Sequence, residues 1–144
     1  MTITIPDSHR DLLLEPVHAV LTTMMSDGQP QSSMIWADYD GEYVLFSTTL
    51  ERQKGRNMQA NPKVTLLVVD PQNGNRWIEV RGVVAEMIQD GVEVFADRLT
   101  RLYTDNRKQR FYRDMFPVEQ QRKETRVLVK IDPVKIALDA IFTE

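Results

Sequence analysis

The sequence predicts a single, mainly β domain: a small antiparallel barrel with flanking helices. Turn signals divide much of the chain into short runs rich in Val, Leu, Ile and Thr, which is typical of strands. One stretch has helical periodicity instead. The 144 residues, 42% hydrophobic and 27% charged, suit one domain with one core. We therefore expect residues 1–144 to form one domain.

A short helix and three strands are predicted at the start of the chain. The helix spans residues 7–14, with Asp7 or Ser8 as its cap. Turn signals at residues 26–30 (SDGQP) and 40–41 (DG) separate the strands. The strands span residues 17–25, 31–39 and 42–47. Because each follows the previous one through a short turn, we expect the three to form a meander.

Two helices, a further short helix or lid, and four more strands are predicted in the rest of the chain. Residues 52–60 lack β-branched side chains and precede Asn61-Pro62, which favours a short helix that ends there. Residues 92–103 carry apolar side chains at helical spacing. Residues 105–123 are charged and aromatic, which favours a second short helix or a lid. The strands span residues 63–69, 76–87, 126–131 and 134–138, the last two split by Asp132-Pro133.

Composition and charge exclude several functional classes. The chain has no Cys, which excludes disulfides, a thiolate nucleophile and cysteine metal sites. With a net charge of −3 there is no overall basic field, so we expect no nucleic-acid or membrane-surface binding. No apolar run approaches the ~20 residues of a membrane span, and residues 1–16 do not resemble a secretion signal. We expect a cytoplasmic protein.

No conventional catalytic set is evident in the sequence. His9, in a terminus expected to fray, and His18, at a strand start, fit no metal-ligand motif, so we expect no metal site. A nucleophile elbow, a GxGxxG motif and a phosphate loop are all lacking. Asp38 and Asp40 have the spacing of a hairpin rim. If the chain is an enzyme, a cofactor supplies its reactivity.

A cluster of cations marks the strongest candidate site. The predicted helix at 52–60 opens with Arg52, Lys54 and Arg56. Cations at a helix N-terminus cost roughly 0.3–1 kcal/mol each unless an anion lies among them, which favours a bound phosphate. Nearby donors are the hydroxyl groups of Ser47, Thr48 and Thr49. Gly55 would let a backbone approach closely. The alternative is a solvated basic turn paired with Glu51.

The strand at residues 63–69 bears on assembly. Its apolar residues fall on both faces: Val64, Leu66, Leu67, Val68 and Val69. A strand with one wet face should alternate instead, so something must cover the outer face. Either the helix at residues 91–103 covers it or a second subunit does. We expect a homodimer.

The order of these segments resembles a known family. The run PQSSMIWADYDGEYVLFSTTLERQKGRNMQANPKVTLLVVDP, followed by NRWIEVRG, is similar to the pyridoxamine-phosphate-oxidase-like split-barrel family, and particularly to its deazaflavin-dependent branch. The similarity covers residues 17–84 and includes an R-x-K-x-R-N signature followed by Asn61-Pro62. From residue 91 onward it holds only in outline. The resemblance implies a six-stranded antiparallel split β-barrel of the FMN-binding type, with flanking helices.

The resemblance also implies a set of cofactor-binding residues. The phosphate clamp would be Arg52 and Lys54, supported by Arg56 and Asn57. The strand along the ring system would be Ser32, Ser33, Met34, Ile35 and Trp36. Backbone contacts near the phosphate would come from Phe46 and Ser47. Residues reaching across a dimer interface would be Trp77 and Arg81, with Trp77 as an ordinary barrel residue the alternative.

The implied function is that of an oxidoreductase in which the cofactor carries the hydride and the side chains bind and orient. We expect no catalytic acid or base. Coenzyme F420, a deazaflavin, is the expected cofactor, with FMN in the same cleft as the alternative, and a conjugated small molecule is the expected acceptor. A third interpretation is a non-catalytic carrier of a flavin-like or haem-like ligand.

Overall fold

A computed structural model describes residues 3–139 of the protein. Within that range the strands are β1 (His18–Met24), β2 (Pro30–Trp36), β3 (Asp38–Tyr39), β4 (Val44–Thr49), β5 (Lys63–Val69), β6 (Trp77–Ile88) and β7 (Arg126–Leu138). The helices are α1 (Asp11–Leu14), α2 (Gln53–Ala60), α3 (Val92–Thr104) and α4 (Val118–Lys123). The strands form one antiparallel sheet in the order β2-β1-β5-β6-β7-β4-β3. The mainly β fold with flanking helices is confirmed, whereas the expected count of six strands is wrong, since residues 3–139 contain seven.

The extra strand arises because the chain changes sheet edges at Ala37. Strand β2 pairs with β1, whereas β3 pairs with β4 at the opposite edge, so the predicted meander is wrong. The hydroxyl of Tyr103 accepts a hydrogen bond of 3.2 Å from the Ala37 N–H and donates one of 3.0 Å to the Val17 carbonyl. Because this side chain takes over the backbone bond that a neighbouring strand would make, the extended chain breaks between β2 and β3.

The two strands predicted at residues 126–131 and 134–138 are one continuous strand, β7. Asp132 pairs with Val83, and Pro133 pairs with Gly82 next to a register shift in β6. Proline cannot donate a ladder hydrogen bond, and a bulge is where a sheet tolerates it. A Cβ on Gly82 would lie 2.5 Å from Ile131 Cγ2, so glycine is also required sterically at this position.

The core lies inside the curled sheet, and β5 alternates across it. Val64, Leu66 and Val68 are buried, whereas Leu67 and Val69 are 37% and 42% exposed. Helix α3 packs instead against β4 and β7, where its Phe95 and Leu99 contact Leu45. The interpretation that this helix covers the outer face of β5 is therefore wrong.

Both ends of the described chain meet near α1. This helix begins at Asp11, and its N-cap residue is Arg10, whose side chain makes no capping hydrogen bond. The prediction that Asp7 or Ser8 caps the helix is therefore wrong. His9 is buried rather than frayed, because its ring bonds to Ser8 Oγ at 2.8 Å and to Asp139 Oδ1 at 2.6 Å.

The segment between α3 and β7 is mostly turns. Helix α4 confirms the short helix expected within residues 105–123, and residues 105–117 form turns joined by a bridge between Tyr112 and Phe116. Among the helices of residues 3–139, none is long and apolar enough to cross a membrane.

Candidate functional site

A close backbone contact sets the position of the cationic helix. Gly55, in the first turn of α2, is buried against the end of β4, and a Cβ there would lie only 2.1 Å from the Thr49 carbonyl oxygen. The backbone that Gly55 allows to approach is therefore the protein's own. This contact places Arg52 and Lys54 beside Ser47 on β4.

Lys54 is a half-buried cation in the first turn of α2. Its Nζ donates a 3.0 Å hydrogen bond to Ser33 Oγ on β2. Among residues 3–139, the ion pairs include neither Lys54 nor Arg52. Burial lowers the pKa of Lys54, and the positive charges of Arg52 and Arg126 lower it further. An anion between these groups would relieve this electrostatic cost.

Arg126, at the start of β7, is a third cation that the sequence did not reveal. Its guanidinium donates to Ser47 Oγ, Tyr112 Oη and Glu124 Oε2, each at 3.0 Å. It also lies 4.2 Å from the centre of the Phe111 ring. Its side chain is only 8% exposed, so it is held on every side by the fold.

These groups line one cleft of about 290 Å³, which has a cationic end and an apolar remainder. The polar and cationic lining is His18, Ser47, Thr48, Arg52, Lys54 and Arg126. The apolar and aromatic lining is Met34, Ile35, Trp36, Phe95, Ala96, Leu99, Phe111, Met115 and Phe116. The Thr48 hydroxyl is buried without a hydrogen-bond partner among the described residues. Such a site suits an amphipathic ligand with an anionic group at one end.

Trp36 has a fixed orientation in the wall of this cleft. Its ring stacks on Tyr103 with 4.9 Å between centroids and an angle of 14° between planes. Because Tyr103 is itself anchored to the backbone where β2 ends, Trp36 belongs to a rigid part of the wall. A planar wall of this kind favours a planar ligand.

The structure brings together six of the residues predicted for the cofactor site. The six that line the cleft are Met34, Ile35, Trp36, Ser47, Arg52 and Lys54. Ser33 contacts the cleft through Lys54. Ser32 is exposed and bonds to Thr22, and Phe46 has its side chain in the core.

The second half of the R-x-K-x-R-N signature has a structural place. Arg56 is exposed, and its guanidinium bonds to Gln53 and to the Glu51 carbonyl. Asn57 is buried and donates a 3.0 Å hydrogen bond to Thr23 on β1. Both residues support α2 without lining the cleft.

Trp77 and Arg81 lie on β6, outside the cleft of this chain. Trp77 is paired with Val69, and Arg81 forms an ion pair of 2.9 Å with Glu79. Their suggested role across a dimer interface stays a prediction.

None of the cleft wall that lies beyond residue 90 was predicted from the sequence. The apolar spacing of residues 92–103 predicts a helix, but an amphipathic helix gives no sign of which apolar residues, such as Phe95 and Leu99, border a cavity. Phe111, Met115 and Phe116 stand within a charged stretch, and that concentration of large apolar residues was the one available signal. No group of three or more metal-ligating side chains occurs within residues 3–139.

Comparisons with known proteins identify a family. The sequence model of the pyridoxamine 5'-phosphate oxidase family matches residues 5–138. A pyridoxine/pyridoxamine 5'-phosphate oxidase of Rhodopseudomonas palustris is 38% identical over 72 residues, 49% of this chain and 33% of that protein. The corresponding oxidase of Colwellia psychrerythraea is 33% identical over 97 residues, 64% of this chain and 43% of that protein. The chain thus spans less than half the length of these curated relatives.

Solved structures extend the similarity to the whole fold. A structure named F420 reductase is 34% identical and superposes with a TM-score of 0.78, covering 92% of this chain and 98% of that one. HupZ of group A Streptococcus, 18% identical, shares the fold with a TM-score of 0.64 over 93% of each chain. Because the family model matches residues 5–138, the chain belongs to the pyridoxamine 5'-phosphate oxidase family.

Proposed function

We propose that this protein is an oxidoreductase that binds coenzyme F420 in the cleft and uses it to reduce a conjugated small molecule. The observation that carries the proposal is the meeting of three cations with an aromatic wall in one cleft. The 34% identity to a structure named F420 reductase supports the deazaflavin over other phosphate-bearing ring systems.

The residues of the cationic end fit a phosphate group. Arg52 and Lys54 carry charges that no described carboxylate neutralises, and charge-assisted hydrogen bonds to a phosphate are stronger than neutral ones. No side chain caps the first turn of α2, which leaves its N–H groups available to an anion. The unpartnered Thr48 hydroxyl is a further donor.

The apolar part of the cleft fits a planar ring system. Met34 is 57% exposed on β2, next to the fixed indole of Trp36. Phe111 and Phe116 lie on the side contributed by residues 105–117. Together these side chains would orient the ring system and keep water from it.

When bound at Arg52, Lys54 and the apolar wall, the reduced deazaflavin would supply a hydride, and the acceptor would take up a proton from solvent to complete its reduction. Among the residues that the structure describes, no carboxylate lines the cleft, and the one imidazole that does is that of His18. The task of the protein would therefore be to bind and orient the cofactor and the acceptor and to exclude water.

FMN in the same cleft is the second candidate. The oxidases of the family carry curated names that refer to phosphate-bearing substrates, and the cationic end distinguishes poorly between one phosphorylated ring system and another. A homodimer is part of both proposals, with the exposed apolar residues of β5 in its interface and Trp77 and Arg81 near the partner's cleft.

The test is a titration of the purified protein with F420 and, separately, with FMN. Lys54→Ala should weaken binding about tenfold to a hundredfold, because it removes one charge-assisted contact. Lys63→Ala, at an exposed lysine that starts β5, is the matched control and should bind normally. Unchanged affinity of the Lys54→Ala variant would show that the phosphate lies elsewhere.

A turnover experiment separates the enzyme from the carrier. Reduced F420 and reduced FMN are each mixed with the protein and a panel of quinones, conjugated lactones and tetrapyrroles, with and without air. We expect F420 oxidation that requires an acceptor and not oxygen. Turnover with FMN alone would favour the second candidate, and tight binding without turnover would favour the carrier.

A further inference from the structure

The segment at residues 105–117 is attached to the cleft through Arg126. Tyr112 of this segment donates a 2.6 Å hydrogen bond to Glu124 and accepts one of 3.0 Å from Arg126. Phe111 stacks on the same guanidinium at 4.2 Å. The link from Arg126 to the barrel is its hydrogen bond to Ser47. Arg126 thus joins a run of turns to the sheet.

Arg126 also retains capacity for a ligand. A guanidinium has five N–H donors, and three of them are used by Tyr112, Ser47 and Glu124. Two therefore have no partner among residues 3–139. Because Arg126 lines the cleft beside Lys54, an anion at the cationic end is within the reach of these donors.

Glu124 compensates Arg126 only in part. Burial acts to raise the pKa of Glu124, but hydrogen bonds from Tyr112, Gln120 and Arg126 outweigh it and keep the pKa below its ordinary value. The carboxylate is therefore charged at neutral pH and balances one cation. Among residues 3–139 no carboxylate pairs with Arg52 or Lys54, so the positive charges of Arg52, Lys54 and Arg126 repel one another at the cationic end, and an anion bound there would relieve this repulsion.

We propose that Arg126 is an anion ligand and also the positioning residue that holds residues 105–117 over the cleft, so that anion binding tightens this segment. An anion removes the repulsion among the three cations and adds contacts that exist only when Arg126 is in place. Residues 105–117 then spend more time in contact with Arg126, because the ligand binds this state more tightly than the state in which the contact is broken. This inference rests on the part of the proposed function that places an anion in the cleft.

Hydrogen exchange of residues 105–117, followed by mass spectrometry, tests the coupling. The ligands are F420, FMN and inorganic pyrophosphate, each at saturation, with binding measured on the same samples. The quantity compared is the ratio of exchange rates without and with ligand. We expect a ratio of about ten or more in the natural protein, since opening would sacrifice one charge-assisted contact.

Three variants separate coupling from simple stability. The Arg126→Gln variant should still bind the ligands through Arg52 and Lys54, although more weakly. At saturation its ratio of exchange rates without and with ligand should be near one. Tyr112→Phe keeps Arg126 and removes only the hydroxyl that joins it to the segment, so affinity should change little while the ratio falls. Arg122→Gln, at an exposed arginine of α4, is the control and should keep the natural ratio.

The outcomes distinguish this inference from the proposed function. Protection by pyrophosphate, with neither F420 nor FMN binding, would overturn the cofactor assignment and support the coupling. Binding of either cofactor without protection of residues 105–117 would overturn the coupling and leave the cofactor assignment intact. An undiminished ratio in saturated Arg126→Gln, or no protection with any of the three ligands, would also overturn it.

Discussion

Lys54 and Ser33 lie 21 positions apart in the sequence and meet through a 3.0 Å hydrogen bond from Nζ to Oγ. The bond joins the first turn of α2 to β2, which are the two elements that the proposed cofactor would touch at its phosphate and its rings. It is also the one hydrogen bond that the Lys54 ammonium makes within residues 3–139. A group held this way, half-buried and facing other cations, serves ligand binding at the expense of the ligand-free fold.

Replacing Lys54 by Met should therefore stabilise the ligand-free protein. A lowered lysine pKa means that the charged form is disfavoured in the folded state, so the cost is present at neutral pH and disappears as pH rises above the folded pKa. Relief of even ~0.5 kcal/mol would raise Tm by roughly 2 °C. Calorimetry at pH 7 and at pH values above 10 checks this, with Lys63→Met as control. A Tm below that of the natural protein at pH 7 would contradict it.

Gly55→Ala should cost at least about 3 kcal/mol of unfolding free energy, because the new methyl would lie 2.1 Å from the Thr49 carbonyl oxygen. The atoms that the methyl group would meet belong to the backbone of Thr49 and Leu50, so no side-chain rotation can relieve the clash. Gly74→Ala is a matched control, since a Cβ there meets nothing within 4 Å, and it should stay within about 0.5 kcal/mol. Urea unfolding measures both, and equal midpoints would mean that β4 and α2 are not in contact.

The contact between His9 and Asp139 should make stability depend on acid pH. The hydrogen bond from His9 lowers the pKa of Asp139. A lowered carboxyl pKa contributes stability above the ordinary value of about 3.9, and this contribution is lost as pH falls through the folded pKa. Asp139→Asn should thus be less stable than the natural protein at pH 7, and the difference should vanish as pH falls through the lowered pKa of Asp139. Asp7→Asn, at a side chain 92% exposed, should show no such convergence.

Leu67→Glu should convert the expected homodimer to a monomer. Leu67 and Val69 form an exposed apolar surface on β5, and Val69 pairs with Trp77 of the neighbouring strand β6. A charged side chain at this surface is costly to bury in an interface. Val94→Glu is the matched control, because Val94 is 74% exposed on α3. Light scattering at micromolar concentration should report a dimer for the natural protein and for Val94→Glu, and a monomer for Leu67→Glu. A natural protein that is monomeric and binds cofactor normally would refute the assembly.

Local patterns were enough to predict α2 and most strand positions, because the breaks are marked by residues with strong turn preferences. Asn61-Pro62 does follow the end of α2, and the cations at its start do border a cleft. What failed depended on distant partners. The chain crosses between sheet edges at Ala37 because of a tyrosine 66 positions away, and nothing near Ala37 announces it.

Arg126 illustrates the same limit within the site. It stands in an ordinary-looking strand, and its contact with Ser47 spans 79 positions. Charge on a strand residue is usually solvated, so only the pairing of β4 with β7 shows that this one is enclosed. Pro133 led to the opposite error, because it predicted a break between two strands. Strand β7 continues through Pro133 because the partner strand β6 has a bulge beside it.

The crossing at Ala37 has a consequence for how this fold can diversify. It carries the chain directly from β2 to the strand that leads to Arg52 and Lys54, so one uninterrupted stretch, residues 30–54, supplies one wall of the cleft and two of its three cations, the third being Arg126. The facing wall comes from residues 95–116, a separate stretch. Mutations in residues 95–116 can therefore change which molecules the cleft accepts, while residues 30–54 keep the same sequence and the same contacts.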